Sequence, residues 1–371
     1  MVGIRKSAAR GLSCAVLCAA ATVSLSPQAT PAPNPSSAPD PAPQKTGQAL
    51  QERYHSTRHG GIATAANASI TCRKTGADAA SCGSAQSGGA GRNDGYDMFY
   101  SDVDRDPDTY NSTRARLRLP KNSEVSYARL YWGGNLRVGE VKPAKDNGRV
   151  LMSEPRGSYR AVKADTVRTH RRDDGADAYQ ASANVTPLVR RSGPGVYTVA
   201  QLNVAMGRSK AGAWGGWTLV VAYEDKKAPL RHLSVWDGLA ASERHSGGMP
   251  VASRAMNFPS GAGGSVGVVG YDGDRGVGGE SLTLSADKRA GTRISNSANS
   301  RDDLFNSTIT DLGREVAGRV PAHRNTLGYD SDVFDAREAL RSGGNRLQFR
   351  FASGGDDYLL GALHAEVDAR R

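Results

Sequence analysis

Arg114-Ala115-Arg116-Leu117-Arg118-Leu119 puts three apolar side chains on one face of an extended chain and three arginines on the other. Successive side chains of a strand point to opposite sides, so this period of two marks a strand with one buried and one wet face. Tyr127-Ala128-Arg129-Leu130-Tyr131-Trp132 and Arg346-Leu347-Gln348-Phe349-Arg350-Phe351 repeat the pattern. Further strand-like runs lie at Val196–Val204, Trp217–Tyr223, Leu233–Trp236, Ser265–Val269, Ser281–Leu284 and Tyr358–Val367. The chain's 44 glycines punctuate these runs, mostly as Gly-Gly pairs at turns. Helical pattern is scarce: two turns are expected over Asp335–Arg341, capped by Asp332 or Asp335. Short half-buried strands joined by glycine-rich turns predict an all-β chain of antiparallel sandwiches.

The second half repeats the first at two places. Tyr110-Asn111-Ser112-Thr113 returns as Phe305-Asn306-Ser307-Thr308. The run Asn184-Val185 to Ser192-Gly193, followed by Val196-Tyr197-Thr198-Val199, returns as Asp332-Val333 to Ser342-Gly343, followed by Arg346-Leu347-Gln348-Phe349. Such internal similarity suggests two copies of one β-rich unit in tandem, at residues 61–225 and 226–371. The stretch from Asn184, and more closely Asp332-Val333 through Gly344-Asn345-Arg346-Leu347, is similar to a stretch of galactose-binding-like jelly rolls. There a short turn of helix precedes a long central strand. The resemblance implies two tandem jelly-roll-like β-sandwiches.

A longer set of landmarks runs through most of the chain. It comprises Cys72 and Cys82, Tyr100-Ser101-Asp102-Val103-Asp104-Arg105-Asp106-Pro107, Ala128-Arg129-Leu130-Tyr131-Trp132-Gly133-Gly134, and Gly215-Gly216-Trp217 through Glu224-Asp225. Trp236-Asp237-Gly238, Gly328-Tyr329-Asp330-Ser331-Asp332-Val333-Phe334-Asp335 and Gly354-Gly355-Asp356-Asp357-Tyr358 complete it. Over residues 61–368 the chain resembles the N-terminal domain, of unknown function, of large secreted actinobacterial surface proteins. That domain often precedes conserved Ig-like repeats and a wall anchor. The resemblance implies a place at the cell surface and says nothing of a reaction, because that domain's own role is uncharacterised. The sequence stops where the repeats would begin, so a freely secreted or loosely retained protein is expected.

The N-terminus reads as a secretory signal over residues 1–29. Arg5, Lys6 and Arg10 form its charged region and Leu12 to Leu25 its apolar stretch, too short for a membrane span. Pro27 to Pro43 holds seven prolines, a composition that extends the chain and builds no core. Residues 30–60 are therefore expected to be a linker. No later segment approaches the roughly 20 apolar residues of a membrane helix. In an exported chain Cys72 and Cys82, with nine residues between them, read as one local disulfide, and no second Cys or His pair stands at zinc spacing. The formal net charge of +11 falls by three when Arg5, Lys6 and Arg10 leave with the signal. For an exported protein that balance points to anionic cell-wall or capsular polymers rather than nucleic acid; a solvated arginine-rich surface is the plain alternative.

Asp102, Asp104, Asp106 and Asp108 alternate as D-x-D-x-D-x-D, a spacing from which carboxylates on an extended loop can converge on Ca²⁺. Pro107 and Thr113 stand where an EF-hand needs Gly and Glu, which excludes that loop and leaves a looser calcium site at Asp102, Asp104 and Asp106 against a solvated turn with Asx hydrogen bonds. Asp272 with Asp274, and Asp330 with Asp332, are two smaller carboxylate pairs. Trp217 and Trp132 alternate with apolar residues and belong to the core. Trp214, in Ala213-Trp214-Gly215-Gly216, is the candidate exposed ring for stacking on a sugar, against a ring folded over the sandwich edge. Arg114, Arg116, Arg118 and Arg129 form a candidate basic stripe for polyanions. Gly263-Gly264-Ser265-Val266-Gly267 matches G-x-S-x-G but runs into a strand-like segment, where a nucleophile needs a strand-to-helix turn. The five histidines beyond residue 60 lie scattered. The expected function is thus a secreted, non-catalytic, envelope-associated protein that binds or adheres. A polysaccharide hydrolase on tandem jelly rolls and a spacer without a ligand are the alternatives.

Overall fold

The computed structural model describes residues 48–75, 80–242 and 248–370. The signal expected at 1–29 and residues 30–47 of the expected linker lie outside them. Among the described residues nearly every element is a strand. An 11-stranded sheet runs in the order Arg314–Glu315, Ile309–Asp311, Tyr329–Asp335, Gly264–Tyr271, Tyr358–Asp368, Leu230–Ser242, Gln48–Ala68, Gly215–Glu224, Glu124–Asn135, Asp177–Asn184 and Thr166–Arg171. Two four-stranded sheets accompany it. One, from the first half of the chain, orders Ser112–Leu117, Gly195–Ala200, Arg149–Ser153 and Tyr159–Lys163. The other, from the second half, orders Met249–Ala252, Leu347–Ala352, Ser281–Ala286 and Thr292–Arg293.

Period-two patterning decides where the cores sit. Leu130 and Trp132 join Leu117, Met152, Tyr197, Leu219 and Val221 in a core of the first half. Val268, Leu282, Phe334, Phe349, Phe351 and Leu363 form a core of the second half. The intervening Tyr131 and Val220 point to the other face of the large sheet. There they meet Trp214, Leu233, Tyr271, Tyr329 and Leu359 in a third core where the halves abut. The result is an all-β sandwich fold in which the large sheet is buried on both faces at its centre.

One strand ties the halves together, and it corrects the expected linker. Residues 48–60 begin the 21-residue strand Gln48–Ala68. Its first part, to His59, pairs with Leu230–Ser242, and from Gly60 onward it pairs with Gly215–Glu224. Gly60 has a φ of +155°, and a Cβ there would stand 2.0 Å from the Tyr223 carbonyl oxygen. Only glycine fits where the strand changes partner. The strand signal is weak in the sequence because this segment is half-exposed, so Glu52, Arg53, His55 and Arg58 interrupt any apolar alternation.

The second repeat has a structural counterpart. In the first half the helix Thr186–Ser192 leads to Gly195–Ala200, which lies between two neighbours in its four-stranded sheet. In the second half the helix Arg337–Leu340, shorter than the expected Asp335–Arg341, leads to Leu347–Ala352 in the matching place. The first repeat diverges. Ser112 opens a strand of a four-stranded sheet, whereas Thr308 precedes Ile309–Asp311, which adds to the large sheet parallel to Tyr329–Asp335. Cys72 and Cys82 form the disulfide, with Cα atoms 5.7 Å apart. No helix among the described residues is long and apolar enough to cross a membrane.

Candidate functional site

The strand Ser112–Leu117 behaves as its alternation dictates: Ala115 and Leu117 are buried, Arg116 and Arg118 exposed. What the sequence could not place is the chain opposite. Residues 316–321 of the second half return across this strand. The Arg114 N–H donates to the Val320 carbonyl and the Val320 N–H to the Arg114 carbonyl, both at 2.9 Å. Gly318 lies on the Arg116 stem, where a Cβ would approach the arginine Cβ to 3.0 Å. A hairpin of Ile309–Asp311 and Arg314–Glu315, turning at Leu312 and Gly313 with positive φ at both, stands beside it.

Between these elements runs a groove of about 640 Å³. Ile62, Ala63 and Thr64 of the central strand contribute to its lining, with Arg116 and Arg118 on one side and Asp311, Arg314 and Glu315 on the other. Glu315 is paired with Arg324, and Glu366, which also lines the groove, lies 3.4 Å from Arg231. Burial raises the pKa of Glu366 against the pull of Arg231. Arg116, Arg118 and Arg314 have no ion-pair partner among the described residues. Against them stands a single unpaired carboxylate, Asp311, so the groove is net cationic. Guanidinium groups offer forked donors that match carboxylate and phosphate oxygens.

Two members of the expected stripe are elsewhere. Arg114 is half-buried and does not line the groove. Arg129 is buried, paired with Asp165 and, at 3.2 Å, with Asp237 of the second half. It lies on the large sheet, whose polar-looking face at this point is the contact between halves. The hairpin bearing Arg314 carries a local signal, the turn at Leu312-Gly313, that sequence reasoning passed over.

Trp214 is also corrected. Its ring is fully buried, 5.6 Å from that of Tyr271, and offers no face to a sugar. The flanking glycines are strand residues rather than a loop: a Cβ on Gly216 would meet the Tyr329 ring at 2.7 Å. The aspartates at 102–108 are engaged in their own turn. Asp102 accepts from the Ser112 hydroxyl at 2.6 Å, Asp104 from Tyr159, the Thr109 hydroxyl and the Asp106 N–H, and Asp106 from the Asp108 N–H. Among the described residues no group of three metal-ligating side chains is placed to hold an ion.

The two carboxylate pairs are enclosed. Asp272 accepts from Asn93 and pairs with Arg172, and burial still pushes its pKa up to about 8. Burial likewise raises Asp274, and carries Asp356 up to about 6. Asp330 and Asp332 are buried beside Thr308 and Thr310, and burial raises both. None of these lines the groove. Ser265 lies in the strand Gly264–Tyr271, with no helix following it.

No protein-family model and no curated protein matches the sequence. Solved structures that the chain weakly matches include PNGase F, a glycosylasparaginase from Flavobacterium meningosepticum (8% identity, 87% of this chain and 96% of that one, TM-score 0.23). Another is from Sulfolobus turreted icosahedral virus (9% identity, 69% and 86%, TM-score 0.21). A third is from infectious bursal disease virus, Gx strain (11% identity, 88% and 74%, TM-score 0.23). At these TM-scores the likenesses carry no argument about what this chain does.

Proposed function

We propose that the chain is a secreted, non-catalytic protein of the cell envelope that holds an anionic wall or capsular polymer in the groove between its halves. The observation that carries this reading is the set Arg116, Arg118 and Arg314, unpaired among the described residues, around one recess. The formal net charge, +11 for the full chain and still positive after the loss of Arg5, Lys6 and Arg10, favours approach to a polyanion. The signal-like N-terminus, the Cys72–Cys82 disulfide and the resemblance to secreted actinobacterial surface proteins support an extracellular address.

Co-sedimentation of the mature chain with purified cell-wall sacculi, across a salt series, tests it. Retention at low salt, with a loss of about tenfold or more in an Arg116→Ala, Arg118→Ala, Arg314→Ala triple variant, is the expected result. Equal retention of the wild type and the triple variant would remove the groove from the explanation. No retention of the wild type at any salt would overturn the proposal and leave a spacer without a ligand.

A further inference from the structure

A second recess, of about 830 Å³, opens where residues 90–96, the loop 207–212 and residues 275–277 meet. Its electrostatics differ from those of the first groove. Arg208 and Lys210 project from an exposed loop and have no ion-pair partner among the described residues. Arg92 is balanced by Asp94 at 2.6 Å. Arg275 faces them from the second half, its guanidinium donating to the carbonyls of Gly88 at 2.7 Å and of Asn306 and Arg324, both at 3.2 Å. No carboxylate among the described residues compensates Arg208 or Lys210, so at least two positive charges remain over at this mouth.

Hydroxyl groups supply an independent observation. Tyr96 and Ser209 both line the recess, and the Tyr96 and Ser209 hydroxyls are buried without a hydrogen-bond partner among the described residues. Buried polar groups are ordinarily satisfied, and a hydroxyl left without a partner is destabilising. Gly91 keeps the chain close to this tyrosine, since a Cβ there would stand 2.5 Å from its hydroxyl. Ala80, Ala90 and Val277 add small apolar walls.

Two uncompensated cations beside two unused hydroxyls fit a compact dianion with several acceptor oxygens. We infer that this recess binds a phosphate monoester, with the phosphoryl group between Arg208, Lys210 and the Tyr96 and Ser209 hydroxyls. The site is separate from the groove of Arg116 and Arg118 and does not depend on the function proposed there.

Calorimetric titration of the mature chain with glycerol 3-phosphate, inorganic phosphate and glycerol tests the inference at fixed ionic strength. The expected result is saturable, submillimolar to millimolar binding of glycerol 3-phosphate and none of glycerol. Binding should weaken at least tenfold in Arg208→Ala/Lys210→Ala and several-fold in Tyr96→Phe. Equal binding of inorganic phosphate would assign the site to free phosphate, retaining the phosphoryl chemistry while overturning the ester. Absence of binding by either phosphate, or binding indifferent to Arg208 and Lys210 in a variant whose melting is unchanged, would overturn the inference altogether.

Discussion

Arg129 of the first half meets Asp237 of the second at 3.2 Å, and both are almost wholly buried, at 4% and 3% exposure. Each has a further partner: Asp165 and the Ser182 hydroxyl hold the arginine, and Arg53 lies 2.6 Å from the aspartate. Removing one member of a buried pair strands the other, which typically costs about 3–5 kcal/mol. Arg129→Met is therefore expected to lower unfolding stability by about 2–4 kcal/mol in urea titration, the lower figure reflecting the retained Arg53 contact. A loss under about 0.5 kcal/mol would show that the pair contributes nothing beyond its neighbours.

The acidic cluster between the halves makes a pH prediction. Asn93 donates its backbone N–H to Asp274 at 2.9 Å and its amide to Asp272 and Asp274 at 2.9 and 3.1 Å. Arg172 pairs with Asp272, with Asp174 at 2.7 Å and with Asp357 at 3.5 Å, while Arg92 pairs with Asp94 and lies 3.6 Å from Asp274. With Asp356 included, carboxyl groups outnumber guanidinium groups. Burial lifts Asp356 to about 6 and Asp272 to about 8, above the values of the unfolded chain. A carboxyl raised by folding contributes stability that is complete below its unfolded pKa and lost as pH climbs through its folded one. The urea midpoint should accordingly fall between pH 5 and pH 8.5. Asp274→Asn keeps an acceptor for Asn93 and removes a charge, so it should flatten that slope and stabilise the fold at pH 8.5 by about 1 kcal/mol. Parallel slopes in the two proteins would locate the pH dependence elsewhere.

Reduction of the Cys72–Cys82 bond opens a loop of about ten residues, and in the chain-entropy model lowers stability by about 2–3 kcal/mol. The unreduced, denatured mature chain should titrate no free thiol. Two thiols per molecule would contradict the bond.

The all-β class and the outward pair Arg116 and Arg118 were legible because period two is a local property: three apolar residues in alternation suffice to orient a strand. Partners across the fold were not. Arg129 shows the same alternation as Arg116, yet its strand lies in the sheet that the other half covers, and nothing near Arg129 in sequence announces Asp237. Trp214 misleads for a related reason. Glycines beside it suggest a loop, whereas Gly216 is a strand residue whose missing side chain admits the Tyr329 ring from the second half. Half of the groove is readable from one strand, and the other half arrives with Arg314 on a hairpin from the far end of the chain.

The change of partner at Gly60 yields the sharpest test of the architecture. Alanine there would have to adopt a φ of +155° and bring its Cβ to 2.0 Å from the Tyr223 carbonyl oxygen. The first demand alone costs about 1–3 kcal/mol, and the second can be met only by shifting the backbone of Gly215–Glu224 in the middle of the large sheet. Gly60→Ala is expected to destabilise by more than about 4 kcal/mol, in the range reserved for disrupted cores. Gly83, by contrast, lies in the short helix Cys82–Gln86 with nothing within 4 Å of where an alanine methyl would stand. Gly83→Ala should change stability by less than about 1 kcal/mol, in the stabilising direction, because alanine favours the helix. Thermal melts of the two variants measure the contrast. Similar melting temperatures would mean that the long strand does not pivot at Gly60, and the sharing of one strand by both halves would fall with it.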